Sequence, residues 1–62
     1  MKAKFKVMEK RGSTLVLGVI LEDGRGFTIT MGQDRIGELS KLVKEHAKAL
    51  FGVEVDKIEE SK

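Results

Sequence analysis

The chain of 62 residues has no Cys, no Pro, no Trp and no Tyr, and each absence closes off a class of protein. Without Cys there is no disulfide framework and no thiolate metal site to compensate for a small core, and cysteine usage says nothing about redox compartment. With Phe5, Phe27 and Phe51 as its only aromatics, the chain has little with which to stack nucleic-acid bases. Asn is also missing and Gln33 stands alone beside many Lys and Glu, a mix that points to a thermophilic source. The longest apolar run, Leu15 to Leu21 with Gly18 inside it, is far shorter than the roughly 20 residues of a membrane span. Behind the basic start Met1-Lys2-Ala3-Lys4-Phe5-Lys6 there is no apolar h-region or small-residue cleavage site, so a cytoplasmic protein without a secretory signal is expected.

What is present describes a small folded domain. Hydrophobic residues make up 40% and charged residues 35% of the chain, too apolar a mix for a disordered polyampholyte. There is no internal repeat or linker, so residues 1–62 read as a single domain, with a folded core over 1–56 and a charged, fraying tail over 57–62. A chain of this size buries only about 60% of the surface its unfolded form exposes, which favours a second copy as a source of stability.

Hydrophobic periodicity sets the order of elements. From Lys2 to Val7, Ala3, Phe5 and Val7 alternate with Lys2, Lys4 and Lys6, the pattern of a half-buried strand that ends near Lys10. Thr14 to Glu22 reads as a second strand, apolar on both faces, and Gly26 to Met31 as a third. Asp23-Gly24 between them predicts a type I′ hairpin. After Gly32, Ile36, Leu39, Val43, Ala47 and Leu50 recur at three and four residues, which predicts an amphipathic helix from about Gln33 to Phe51. Gly52 suits its left-handed cap, with Val53 folding back onto the last turn. Val53 to Asp56 could add a short fourth strand. The fold class is α+β: a three-stranded antiparallel β-meander packed by one C-terminal helix (βββα).

The helix covers one sheet face, leaving Lys2, Lys4, Lys6, Val16, Ile20, Thr28 and Thr30 on the other. The expected inward set is Ala3, Phe5, Val7, Leu15, Leu17, Val19, Leu21, Phe27, Ile29 and Met31, against Ile36, Leu39, Val43, Ala47 and Leu50. Val16 and Ile20 on the central strand are apolar surface that nothing else in the chain covers. They assign a dimer interface to Val16, Gly18 and Ile20. Gly18 itself marks a bulge or a gap filled by a neighbouring side chain.

Residues for catalysis are scarce. His46 is the single imidazole and lies at helical spacing beside Val43 and Leu50, as a boundary residue of the core. Ser13, Ser40 and Ser61 lack a nucleophile context. Asp56, Glu59 and Glu60 read as a solubilising patch. Gly24-Arg25-Gly26 lacks the strand-loop-helix setting of a phosphate loop. No enzyme, no metal site and no cofactor is expected. Positive charge is concentrated at the start, with Lys2, Lys4, Lys6, Lys10 and Arg11 against Glu9 alone. A row of Lys on one strand face repeats at about 6.6 Å, near the phosphate spacing of an extended single strand. The same row on an edge strand would also block edge-to-edge aggregation.

The segment Arg25-Gly26-Phe27-Thr28-Ile29-Thr30, leading into a helix that carries Leu39 and Leu42, resembles the positive-cofactor type of transcriptional coactivator, a small dimeric single-stranded-DNA-binding family. The likeness covers residues 4 to 51 in element order and is specific over some six residues. It implies phosphate contacts by Lys4, Lys6, Lys10, Arg11 and Arg25. The family's longer loop between the second and third strands is reduced here to Asp23-Gly24, and its strand aromatics are missing. The expectation is a small dimeric nucleic-acid-binding protein, with single-stranded DNA and a link to transcription as what the resemblance implies, that grips phosphates through Lys2, Lys4, Lys6, Lys10, Arg11 and Arg25. The alternative is a non-enzymatic protein-interaction or oligomerisation module, such as a regulatory or antitoxin-like subunit, using the same sheet face.

Overall fold

Alternation produces three strands and a fourth forms without it. The computed structural model describes residues 1–61, with β1 at Lys2–Arg11, β2 at Thr14–Leu21, β3 at Gly26–Gly32, a 3₁₀ helix at Gln33–Glu38, α1 at Leu39–Phe51 and β4 at Lys57–Glu60. The sheet order is β3-β2-β1-β4. β1, β2 and β3 form the antiparallel meander. β4 runs parallel to β1, Lys2 beside Lys57 and Phe5 beside Glu60, so the sheet is mixed. A parallel partner needs a crossover connection, and α1 supplies it from β3 at one edge to β4 at the other.

The fourth strand lies beyond the Val53–Asp56 segment and within the expected tail, which is corrected accordingly: Lys57–Glu60 is ordered by the backbone of β1. Lys62 of that tail lies outside the described residues. Two further bonds clamp β4. The Asp56 amide donates to the Met1 carbonyl at 3.0 Å and the Ser61 amide to the Phe5 carbonyl at 2.7 Å. The Met1 ammonium also lies 2.9 Å from Asp56 Oδ1, and its hydrogen bond holds the Asp56 carboxyl below its usual range.

The turns follow their residues closely. Gly12 alone has positive φ in the two-residue loop between β1 and β2, the pattern of a type II′ turn. The β2–β3 loop corrects the expected type I′ turn: Gly24 has φ 96° and Asp23 does not have positive φ. The Gly24 amide donates to the Leu21 carbonyl and the Leu21 amide to the Arg25 carbonyl. This is a three-residue loop closed by a glycine bulge. Asp23 is committed instead to Arg25, whose backbone and guanidinium N–H groups both donate to its carboxylate.

The core is Ala3, Leu15, Leu17, Val19, Leu21, Ile29, Met31, Leu39, Val43, Ala47 and Val55. Phe5 and Phe27 pack at its margin, half-buried. Val7, Ile36 and Leu50, which the pattern places inside, are instead exposed, Leu50 by more than half of its surface. Ile36 falls in the 3₁₀ segment, whose three residues per turn carry it off the 3.6-residue stripe. Val7 sits where β1 bulges, between the pairs Val7 with Leu17 and Glu9 with Val16. Leu50 stands in the last turn of α1. There Gly52, at φ 67°, donates its amide to the Lys48 carbonyl, and Val53 packs against the core.

Candidate functional site

The face of the sheet away from α1 is the surface that the fold leaves open. Register places Lys4, Ile20 and Gly26 in one row across β1, β2 and β3, Lys6, Gly18 and Thr28 in the next, and Val16 and Thr30 in a third. Met8, next in the alternation of Lys2, Lys4 and Lys6 and left unpaired by the bulge between Val7 and Glu9, stands on this face too. A Cβ built on Gly18 would lie 2.7 Å from Met8 Sδ, so the gap left by the missing side chain is filled by a methionine from the neighbouring strand. Met8 is 63% and Ile20 57% exposed. Together with Lys6, Gly18, Gly26 and Thr28 they line a shallow, mainly apolar depression of about 600 Å³.

The expected cations separate into three groups. Lys2, Lys4 and Lys6 project from the open face of β1 and are exposed. Beyond the bulge Lys10 pairs with Leu15 and therefore stands on the helix side. The two arginines are held by local carboxylates. Arg11 Nε lies 2.7 Å from Glu9 Oε1, and Arg25 Nη2 lies 2.6 Å from Asp23 Oδ2. Arg25 also stacks 5.1 Å above the Phe51 ring, and its hydrogen bond keeps the Asp23 carboxyl below the usual range. Val16, Gly18 and Ile20 do come together on one surface.

Sequence reasoning missed Met8, Lys57 and Glu59. Alternation carried one residue past Val7 already places Met8 on the face of Lys2, Lys4 and Lys6; the bulge re-phases Glu9 and Lys10, which alternation alone misassigns. Lys57 and Glu59 enter through the parallel pairing of Lys2 with Lys57 and Lys4 with Glu59. Glu59 Oε1 lies 3.1 Å from Lys57 Nζ. Its carboxyl is held low first by that hydrogen bond, then by the fields of Lys57 and Lys2, with Lys4 contributing least. The lysine strip thus has an acidic counterpart set into it. Beside it, Lys2, Lys4, Ile20, Leu21, Glu22 and Glu59 line a second depression of about 440 Å³.

On the opposite face, His46 is half-buried, with Nδ1 donating to the Leu42 carbonyl at 2.8 Å. Its ring stacks on Phe27 with centroids 5.9 Å apart. Phe27 and Phe51 adjoin it with centroids 6.2 Å apart, so these aromatics are packed in the structure and not displayed beside the lysines. Among the described residues no cluster of His, Asp or Glu is arranged to hold a metal, and no helix is long and apolar enough to cross a membrane. No family model, curated protein or solved structure matches the chain.

Proposed function

We propose that the chain is a non-enzymatic docking module whose open sheet face receives another polypeptide, with Met8, Val16 and Ile20 as its apolar centre and Lys2, Lys4, Lys6 and Lys57 as its rim. The observation that carries this reading is the seating of Met8 over Gly18, beside Ile20, which presents two large apolar side chains, Met8 and Ile20, to water on a rigid sheet. An apolar centre with a charged rim is the usual anatomy of a protein interface. Positive charge outweighs Glu59 on the rim, so the complementary surface is apolar with an acidic border.

A second reading retains the expected role in nucleic-acid binding. β1 lies between β2 and β4, so edge protection does not explain why Lys2, Lys4 and Lys6 stand in a row in the finished sheet. A phosphate backbone would. The committed arginines and the packed aromatics favour the polypeptide.

Amide shift mapping on the intact chain separates the two readings, using an acidic amphipathic peptide and an oligothymidylate as probes. The peptide is expected to move Gly18 and Ile20, to lose its effect in Ile20→Lys and to weaken several-fold in Lys4→Glu. An oligothymidylate that binds tightly, with a log–log salt slope of about −0.7 per phosphate neutralised, while the peptide leaves Gly18 unmoved, would replace the first reading with the second.

A further inference from the structure

The two edges of the sheet are built differently. β4 spans only Lys57–Glu60 and carries charge at three of its positions. That shortness and charge are how natural sheets guard an edge. β3, Gly26–Gly32, is longer, has no charged residue, no Pro and no bulge, and pairs without a break to β2. The bonds from the Leu21 amide to the Arg25 carbonyl and from the Gln33 amide to the Ser13 carbonyl fix the phase of the ladder. Odd-numbered residues of β3 bond inward to β2, and the N–H and C=O groups of Thr28 and Thr30 point to the free edge.

The sequence of this edge, Gly-Phe-Thr-Ile-Thr-Met-Gly, has the same character read from either end. We propose that two copies of the chain join through β3 as an antiparallel, two-fold pair centred on Ile29, giving one continuous sheet. In that register Thr28 faces Thr30 of the second copy and exchanges both backbone hydrogen bonds with it. Gly26 faces Gly32, Phe27 faces Met31, and Ile29 meets Ile29. A two-fold interface must be self-complementary, and this segment meets that condition residue by residue with no like charges opposed. Its phase fits as well, since only pairings of even with even residues place the free N–H and C=O groups opposite each other. The guarded β4 edges end the assembly at two copies. This interface differs from the Val16, Gly18 and Ile20 surface and does not depend on what docks there.

Sedimentation equilibrium and amide exchange on the full chain test the proposal. A dimer is expected, with the Thr28 and Thr30 amides gaining protection as protein concentration rises. The double variant Thr28→Lys/Thr30→Lys sets Lys against Lys in two cross-strand pairs and should weaken association at least roughly tenfold. Ile20→Lys should leave the association unchanged, whereas it abolishes peptide docking on the open face. Thr30→Pro, which removes only an edge-directed N–H, should also give monomer. A chain that stays monomeric at every concentration overturns the proposal. So does a dimer whose Thr28 and Thr30 amides exchange freely, or one lost in Ile20→Lys and kept in the double Lys variant.

Discussion

On the helix side of the sheet Leu17, Val19 and Leu21 are almost wholly removed from water, while Ile20, between two of them on the same strand, is more than half exposed. Strand geometry sends successive side chains to opposite faces, so both surfaces come from one run of apolar residues. What separates them is cover. The 13-residue helix α1 and the Val53–Val55 segment close one side. Among the described residues nothing closes the other. A domain this short has one layer to spend, and the sequence nonetheless places Val16, Ile20 and Met8 where that layer does not reach.

The difference can be broken most sharply at Leu17, which is fully buried. Leu17→Ala should lower unfolding free energy by about 2–5 kcal/mol, read as a shift in urea midpoint. Next comes the end of the covering helix. Gly52→Ala places a Cβ at positive φ and should lower stability by about 1 kcal/mol, with most of the loss seen as fraying of α1 in amide exchange. The open face is sharpened by a double-mutant cycle of Gly18→Ala and Met8→Ala. The new methyl group meets only the flexible end of Met8, so the two changes should couple by about 0.5–1 kcal/mol. Ile20→Ala alone should change stability by no more than about 0.5 kcal/mol, and a loss as large as that of Leu17→Ala would mean that the outer face is covered after all.

Acid is the gentlest probe. The carboxyls of Asp23, Glu38, Asp56 and Glu59 all lie below their usual values through contacts with Arg25, Arg35, the Met1 ammonium and Lys57. Each therefore favours the folded state above the ordinary carboxylate range, and that contribution fades as pH falls through the lowered values. Asp23, Glu38 and Asp56 are exposed and Glu59 is only half-buried, so the melting temperature should decline only modestly below about pH 4. Added salt should flatten the decline, and Asp23→Asn should remove its own share.

Much of the fold was legible because it rests on side-chain period. The alternation in β1 and β3, the three-and-four spacing of Leu39, Val43 and Ala47, and Gly52 after Phe51 all mean in the structure what they mean in the sequence. β4 was misplaced because an edge strand can be held by backbone bonds alone, and Lys57-Ile58-Glu59-Glu60 has little apolar pattern to announce it. Val55 was counted as strand and serves as core, since a segment returning from a helix can bury one side chain without regular structure. For the candidate site, Val16, Gly18 and Ile20 were visible as excess apolar residues on one strand. Met8 was legible by alternation from Lys6 but was missed, and Glu9 and Arg11, two apart on β1, share a face that their spacing shows; only the pairing of Arg25 with Asp23 depends on loop geometry that spacing does not reveal.

The parallel seating of β4 also sets an order in time. Its pairing with β1 closes a longer loop than either hairpin of the meander, so it is expected to form after β1, β2 and β3 have paired. Until then β1 is itself an unpaired margin of a growing three-stranded sheet. Lys2, Lys4 and Lys6 line that margin while it is unpaired, where charge discourages pairing with another chain, and they become an interior row once β4 has paired. Pulse-labelled exchange during refolding should accordingly find the Asp56 and Ser61 amides protected after those of Leu21 and Gly24.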